Sequence, residues 1–358
     1  MSKFLSDGKD QSNTNKSNPK ASNKILNNCR LIRNCFKFCK IFSENFELVE
    51  YVDSGSESKV YSCKIKNSKI KVIAKIVRLT KFRQKVKQEI EIASKLRSNN
   101  IITFYGSSDI INDKTLGIFM ESAKLGNLNN FISTVFPNNE VSESMLCFIA
   151  YQILNGLDYC HRCKVAHMDV KSKNIVIDRY LNVKLIDFSI SINYRDKSPS
   201  DLIKLPSKGT LPFMPLEAIT SQIVEYKDLN KVDIYSFGVL LYNLAFNGYP
   251  YNINMDDQTG YIALYHKIKN NPIFNDKTNT GKYSNHFINF LTKLLNKNIH
   301  ERININDAKN DFWIKGAKIL LDESEYINNL NVFARSIIYN QIKQFNDYLF
   351  NKIEEGNT

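Results

Sequence analysis

Long apolar runs are absent from this sequence, and no segment approaches the roughly 18 consecutive apolar residues that a membrane-spanning helix requires. The first 19 residues are polar and lack the apolar segment of a secretory signal peptide. Glycine and proline are scarce, at 13 and 8 of 358 residues, which excludes collagen-like and linker-like chains. We therefore expect a folded intracellular protein, located in the cytoplasm or, as an alternative, in the nucleus.

Cysteine is also scarce, with seven residues in the chain. An odd number argues against a complete disulfide framework, and no CxxC pair is repeated at the spacing of metal ligands. The nearest approach to a metal motif is Cys160 and Cys163 around His161, which is a weak signal. We expect the cysteines to be reduced thiols.

Positive charge exceeds negative charge, with 49 Lys/Arg against 36 Asp/Glu and a net charge of +13. About half of the excess lies in residues 1–42, which carry nine Lys/Arg and two Asp. Residues 1–23 are predicted to be disordered because they are polar. The pattern of residues 24–42 predicts a basic amphipathic helix that binds a membrane surface or an acidic partner. The alternative is a helix that packs on the next domain. A nucleic-acid partner is disfavoured because so much of the charge lies in a tail.

From residue 45 onwards the apolar pattern is first strand-like and then helix-like. Strands are predicted at 47–52, 59–65, 69–77, 100–106 and 115–121. Helices are predicted at 81–96, 145–162, 232–247 and 286–296. Two short strand-like pieces interrupt the helical part near 165–188. The predicted class is α+β, with a small antiparallel sheet and one helix preceding a large, mainly helical part.

Two short motifs carry the clearest chemical signal. The first is HMDVKSKN at 167–174, and the second, beginning thirteen positions later, is DFS at 187–189. An Asp with Lys and Asn at offsets of two and five, and a second Asp after a strand, supply the groups that phosphoryl transfer requires. These motifs resemble the catalytic loop and the metal-binding motif of eukaryotic protein kinases.

The resemblance implies a bilobal protein kinase fold, ATP and Mg²⁺ as cofactors, and protein substrates phosphorylated on serine or threonine. Asp169 would orient the attacking hydroxyl and accept its proton. Lys171 would neutralise charge on the transferred phosphoryl group. Asn174 and Asp187 would ligate magnesium through hard oxygen atoms.

Upstream, the resemblance extends to the nucleotide site. Lys75 matches the lysine that contacts the α and β phosphates, and it follows Val60 by fifteen residues in a hairpin that retains only Gly55 of the family's three glycines. Its partner would be Glu89 on the predicted helix, with Glu91 as the alternative. The other positions that match nucleotide contacts of the family are Met120, Glu121, Ala123 and Val176.

Downstream, the resemblance continues to about residue 314. It implies that Glu217 pairs with Arg302 and that Asp233 anchors the backbone of the catalytic loop. The implied organisation is a basic tail at 1–44, a kinase domain at 45–316 with lobes at 45–121 and 122–316, and a helical C-terminal extension at 317–358.

Departures from the family pattern leave alternatives open. Ser189 replaces a glycine at a hinge that often needs permissive φ. Ile73 stands where the family has a small alanine, unless a strand bulge returns Ala74 to that place. With the depleted glycine loop, these make a nucleotide-binding pseudokinase scaffold the alternative to an active enzyme. Lys171 and Lys173 in the catalytic loop predict acidic or already phosphorylated substrates.

Overall fold

The computed structural model describes residues 46–54, 58–67, 70–78, 83–111, 115–136, 141–251, 260–274 and 280–315. Contacts between residues divide the chain into two units. The first unit comprises the described residues up to Lys95 and the segment Ile102–Ser122, and the second comprises Leu96–Ile101 and the described residues from Ala123 onwards. The predicted tails at 1–44 and 317–358 lie outside the described residues.

The first unit contains an antiparallel sheet and, within its described residues, one helix. The strands are β1 (Phe46–Ser54), β2 (Ser58–Ile65), β3 (Lys71–Arg78), β4 (Phe104–Ile111) and β5 (Thr115–Glu121), in the order β1-β2-β3-β5-β4. The helix, α1 (Arg83–Lys95), connects β3 to β4. The strand-rich character predicted for this part of the chain is thus observed.

Strand β3 sends its side chains to two faces of the sheet, as the two-residue period of a strand requires. Ala74 is fully buried in a core cluster on one face, whereas Val77 packs with Val86 of α1 on the other. The ladders of β3 with β2 and β5 run along the strand without a register shift. Ile73 therefore shares a face with Lys75, and the bulge that would bring Ala74 to that face is not formed in β3.

The second unit is mainly helical. Its helices are α2 (Leu128–Val135), α3 (Glu143–Arg162), α4 (Leu216–Ile219), α5 (Asn230–Phe246), α6 (Gly260–Asn270), α7 (Asn285–Leu294) and α8 (Ile305–Asn310). Its strands are the pairs β6 (Val165–Ala166) with β9 (Ile192–Asn193), β7 (Ile175–Ile177) with β8 (Val183–Leu185), and β10 (Leu202–Lys204) with β11 (Ile223–Glu225).

Local sequence explains the two central helices of this unit. Helix α3 begins after Ser142, whose side chain accepts a hydrogen bond from the Met145 N–H and so satisfies one of the open donors of the first turn. Helix α5 is buried on all sides, which accounts for its nearly continuous apolar sequence. It ends at Asn247 in the left-handed conformation. No helix in the described part of the chain is long and apolar enough to cross a membrane.

The structure differs from the predicted elements in two regions. Strand β4 begins at Phe104 rather than at residue 100, because Asn100 donates a hydrogen bond to the Val183 carbonyl and Ile101 forms a bridge with Leu185. These contacts place Leu96–Ile101 in the helical unit, although the sequence assigned that segment to the small lobe. Three short strands, β6, β7 and β8, replace the two strand-like pieces predicted near 165–188.

Candidate active site

Lys75 and Glu89 form a buried ion pair inside the first unit. Lys75 Nζ lies 2.7 Å from Glu89 Oε1, and the two side chains are 11% and 9% exposed. Glu91, the alternative partner, pairs instead with Lys95 on the exposed side of α1. The buried pair holds the Lys75 ammonium at a fixed place on β3, and removing one partner of such a pair is strongly destabilising.

Val60 lies directly opposite Lys75 in the ladder between β2 and β3. On the other side of β2, Val60 is paired with Asp53 of β1. Val60 and Lys75, which are fifteen residues apart in the sequence, therefore face each other across two neighbouring strands. Gly55, the remaining glycine of the predicted phosphate loop, lies outside the described residues.

The end of β5 carries two of the predicted nucleotide contacts. Met120 is half-buried and packs against the cluster between the sheet and α1. The Glu121 carboxylate accepts hydrogen bonds from the Thr103 backbone N–H at 3.2 Å and its hydroxyl at 2.9 Å. The Glu121 backbone N–H donates to the Thr103 carbonyl at 2.9 Å. These bonds fix the end of the strand.

Two further predicted contacts belong to the second unit. The Ala123 carbonyl accepts a hydrogen bond from the Gly126 N–H at 3.2 Å, which closes a turn before α2. Val176 is half-buried in β7 and forms a bridge with Asn127, the N-cap residue of α2. The turn and β7 are thus neighbours, so Ala123 and Val176 are held by one local framework.

Asp169 lies at the centre of a network of side chains in the second unit. Its Oδ1 atom accepts a hydrogen bond from the Thr210 hydroxyl at 2.9 Å. Its Oδ2 atom is 2.7 Å from Lys171 Nζ and accepts a hydrogen bond from Asn174 Nδ2 at 2.8 Å. Lys171 also donates to Thr210 at 2.7 Å, which closes a triangle between the three groups. The network holds the Asp169 carboxylate in one orientation.

Asn174 and Asp187 are brought together by the hairpin of β7 and β8. Asn174 immediately precedes β7, and the Ile186 N–H, one residue before Asp187, donates to the Asn174 carbonyl at 2.9 Å. The amide nitrogen of Asn174 is used for Asp169, which leaves its amide oxygen as the side-chain atom that could ligate a metal. A carboxylate and an amide oxygen are suitable ligands for Mg²⁺.

The backbone at Ser189 does not need a glycine. Among the described non-glycine residues with positive φ is Asp187, at 66°, whereas Ser189 is not one of them. Aspartate tolerates this left-handed region better than most residues. Replacement of glycine by Ser189 therefore introduces no backbone strain in this conformation.

Asp233, at the start of α5, binds the backbone that precedes Asp169. Its carboxylate accepts hydrogen bonds from the N–H groups of His167 at 2.8 Å and Met168 at 2.7 Å. His161 Nε2 lies 2.8 Å from the same carboxylate. Burial alone would raise the pKa of Asp233, but the hydrogen bond and charge of His161, with the catalytic-loop groups, hold it below its ordinary value. The predicted anchoring role of Asp233 is observed.

His161 was missed by the sequence reasoning as a site residue. It was noted only between Cys160 and Cys163, where the pattern suggested a weak metal motif. The described residues contain no cluster of three or more metal-ligating side chains, and burial raises the pKa of the Cys160 thiol well above its ordinary value. A histidine in the last turn of a helix, shortly before the catalytic loop, was the available signal.

His167 supports the catalytic loop through both of its ring nitrogens. Its Nε2 atom lies 3.0 Å from the Ile186 carbonyl, and its Nδ1 atom accepts a hydrogen bond from the Asp169 N–H at 3.3 Å. These two contacts require the tautomer with the proton on Nε2. The ring also packs on Phe188. His167 thus joins the segment that carries Asp169 to the segment that carries Asp187.

The predicted pair of Glu217 and Arg302 is fully buried in the second unit. Arg302 donates to both Glu217 oxygens, at 2.6 and 3.2 Å, and the side chains are 2% exposed or less. It also donates to the Asn296 and Lys231 carbonyls, so the guanidinium is well satisfied. The pair ties the segment after Thr210 to the end of the unit.

Comparisons with known proteins agree with this geometry. A family model described as Protein kinase domain matches residues 46–314. The chain belongs to this family. This kinase domain is 30% identical over 264 residues to serine/threonine-protein kinase TIO of Arabidopsis thaliana, an alignment that covers 73% of this chain and 18% of that protein. Family membership confirms the predicted α+β kinase fold and its recognition from the two motifs.

Two other relatives of this kinase domain are also kinases. It is 28% identical over 228 residues to an Aurora kinase of Schizosaccharomyces pombe, covering 62% of this chain and 59% of that protein. It is 27% identical over 289 residues to serine/threonine-protein kinase 4 homolog B of Dictyostelium discoideum, covering 79% and 24%. The chain thus spans between 18% and 59% of the lengths of these curated relatives.

Protein kinase domains use ATP and Mg²⁺ and act on protein substrates. The predicted site residues of this kinase domain fall into two sets. The first unit carries Val60, Lys75, Glu89, Met120 and Glu121. The second unit carries Ala123, Asp169, Lys171, Asn174, Val176 and Asp187.

Proposed function

We propose that this protein kinase domain is an active serine/threonine kinase, which transfers the γ-phosphoryl group of ATP to hydroxyl groups of proteins. The observation that carries the proposal is the network in which Asp169 is held by Thr210, Lys171 and Asn174. A carboxylate fixed in this way is ready to orient a hydroxyl without further rearrangement. The ion pair of Lys75 and Glu89 supports the same conclusion, because it holds a cation for nucleotide phosphates.

Each residue has a definable part in this reaction. The substrate hydroxyl would donate a hydrogen bond to Asp169, which accepts the proton as the oxygen bonds to phosphorus and the bond to the leaving phosphate oxygen breaks. Lys171 is 22% exposed and would offset negative charge on the transferred group while it remains bonded to Asp169. His167 and Asp233 act indirectly, since they fix the backbone on which Asp169 is carried.

We assign the cofactor contacts to the residues whose chemistry fits. Asn174 and Asp187 would hold Mg²⁺ through their side-chain oxygens, and Lys75 would contact the phosphates of ATP. The contacts to adenine and to the rest of the nucleotide would come from Gly55, Val60, Met120, Glu121, Ala123 and Val176, with Glu89 positioning Lys75. When bound, magnesium balances the charge of the phosphates.

A nucleotide-binding pseudokinase scaffold is the alternative function. It is favoured by Ile73, whose larger side chain shares a face with Lys75 where the family has alanine. Ser189 does not favour the scaffold, because its φ is not positive and a side chain at this position therefore causes no backbone strain. The two functions differ in one measurable property, the transfer of phosphate.

The test is incorporation of phosphate from MgATP into the protein itself and into generic protein substrates. We expect incorporation by the wild type and a loss of about 10²-fold or more in Asp169→Asn and Lys75→Met. Lys95→Met, which removes an exposed lysine of α1, is the matched control and should retain activity. Phosphorylated serine or threonine, rather than tyrosine, is expected. No incorporation, combined with a nucleotide-induced rise in Tm, would favour the scaffold.

We further propose that the protein acts inside the cell, in the cytoplasm or the nucleus, and that its basic N-terminal tail binds an acidic partner or a membrane surface. The charge of residues 1–42 supports this proposal. Deletion of residues 1–42 should abolish binding to anionic vesicles or acidic proteins and leave kinase activity intact. Cell fractionation with and without the tail tests the location.

A further inference from the structure

The cations around Asp169 are not equivalent. Lys171 is neutralised, since its Nζ atom is 2.7 Å from the Asp169 carboxylate. Lys173 and Lys208 are exposed, and neither has a carboxylate within ion-pair distance among the residues that the structure describes. The sequence suggested that Lys171 and Lys173 together attract acidic substrates. Because Lys171 is paired with Asp169, the two exposed lysines that remain for an acidic substrate are Lys173 and Lys208.

Lys208 is placed beside Asp169 by the segment that precedes Thr210. It lines the same small cavity as Asp169 and Thr210, and Asp169 is the only carboxylate among the residues lining that cavity. Gly209 has a φ of +136°, which side-chain-bearing residues rarely adopt, and its backbone lies beside the catalytic loop, since a Cβ there would be in van der Waals contact with the Met168 carbonyl oxygen at 3.5 Å. The next residue, Thr210, is bonded to Asp169. Lys208 therefore lies two residues before the threonine that is bonded to Asp169, and it lines a cavity together with Asp169.

Lys173 is placed on the same network by a different route. It lies in the tight turn Ser172–Asn174, and Asn174 donates two hydrogen bonds to Asp169. Lys173 and Lys208 thus belong to the two segments that bind Asp169 through Asn174 and Thr210, and a substrate chain whose hydroxyl reaches Asp169 passes close to these segments. An extended peptide advances about 3.3 Å per residue, so neighbours within two positions lie about 7 Å from the hydroxyl.

We propose that Lys173 and Lys208 select substrates with a negatively charged residue, a carboxylate or a phosphate, within two positions of the phosphorylated hydroxyl. This inference rests on the proposed kinase function and adds the substrate class to it. Arginine or lysine at those positions would meet two uncompensated cations. Since both lysines are exposed, the preference depends on salt concentration.

The test uses the full chain and a set of peptides with one serine on a neutral background. Each position within three of the serine is replaced in turn by Asp, phosphoserine, Ala or Arg, and kcat/KM is measured. We expect Asp to exceed Ala about two- to five-fold at one or more positions within two of the serine, as for an exposed ion pair. Phosphoserine should exceed Asp because it carries about twice the charge.

Charge-reversal variants identify the lysines responsible. Lys208→Glu and Lys173→Glu should each change the preference from Asp towards Arg, at different peptide positions. Lys204→Glu is the matched control, because Lys204 is exposed on β10 in the same segment and the change in net charge is the same. Wild-type enzyme that uses Asp, Ala and Arg peptides equally, or a Lys204→Glu effect as large as that of Lys208→Glu, would overturn the inference and leave the kinase function standing.

Peptide binding separates this inference from the proposed function. Affinities of fluorescent acidic and basic peptides are measured by anisotropy without nucleotide. Tighter binding of the acidic peptide that is lost in Lys208→Glu supports the inference even where no phosphate is transferred, an outcome that would overturn the kinase function alone. Equal affinities with no transfer to any substrate would overturn both.

Discussion

Thr210 and Asp169, separated by 41 positions in the sequence, are joined by a hydrogen bond of 2.9 Å from the threonine hydroxyl to the carboxylate. The same hydroxyl accepts a hydrogen bond from Lys171 at 2.7 Å. The bond connects the catalytic loop to the segment that precedes α4, so the orientation of Asp169 depends on the conformation of that segment. A hydroxyl at position 210 is therefore part of the geometry that phosphoryl transfer needs.

Thr210→Ala should lower kcat by about 10²-fold, because Asp169 loses one of the groups that orient it. The KM for ATP should change little. Thr210→Ser keeps the hydroxyl and should recover most of the rate. Thr220→Ala, which removes an exposed hydroxyl bonded to the Leu216 carbonyl, is the matched control. Equal rates for Thr210→Ala and wild type would contradict this role.

Glu89→Gln should lower the free energy of unfolding by about 3 kcal/mol, because the largely buried Lys75 ammonium would lose the carboxylate that lies 2.7 Å from it. Nucleotide binding should weaken as well, since Lys75 is no longer held in place. Glu91→Gln breaks only an exposed pair on α1 and should cost about 0.3–0.5 kcal/mol. Chemical denaturation of both variants measures the difference. Similar costs at the two positions would be evidence against the buried pair.

The pKa of Asp233 gives a pH dependence of stability with a definite sign. Because this pKa is lower in the folded state than in the unfolded chain, the ionised carboxylate stabilises the fold above the unfolded value of about 3.9. That contribution is lost as the pH falls through the folded pKa. Asp233→Asn should be less stable than wild type at neutral pH, and the gap should narrow below about pH 4. A gap that stays constant across this range would contradict the assignment.

Arg302→Lys should destabilise the second unit by about 3 kcal/mol even though the charge is retained. A lysine cannot donate to both oxygens of Glu217 and also to the Asn296 and Lys231 carbonyls. The Lys293 side chain is 44% exposed and forms an ion pair with Asp311. Lys293→Ala breaks this pair and should lower the free energy of unfolding by less than about 1 kcal/mol. Thermal unfolding of the two variants provides the comparison.

The segment between Asp187 and Thr210 is held in place by contacts of its own strands and side chains. Strand β10 pairs with β11, Leu205 is buried in a core cluster, and the Tyr194 hydroxyl donates to the His161 carbonyl. We therefore expect the combined variant with Ser198, Ser200 and Ser207 changed to alanine to retain activity within about two-fold of wild type. Phosphatase treatment should be equally neutral. A loss of tenfold or more in either experiment would show that these contacts are insufficient.

Local chemistry made several site residues predictable from the sequence. Lys75 and Val60 are a cross-strand pair, so their spacing follows from strand geometry. Asp169, Lys171 and Asn174 fall within one turn and its flanks, where a few residues set the positions of the side chains. The class of fold was predictable for the same reason, since alternating and helical periods reflect which face of each element is buried.

Contacts between distant segments were beyond such reasoning. The sequence left the face of Ile73 open, kept Glu91 as the alternative to Glu89, and did not indicate the roles of His161 and Lys208. The unbroken ladder of β3 decided the face of Ile73, and the turn of α1 decided that Glu91 points outwards. The partner of His161 is Asp233, 72 positions away. The sequence alone determined the family and the candidate catalytic groups, because those are set by residue type and short-range order. Only the tertiary structure decided which charges are paired and which remain for a substrate, because pairing depends on which segments the fold brings within a few ångströms.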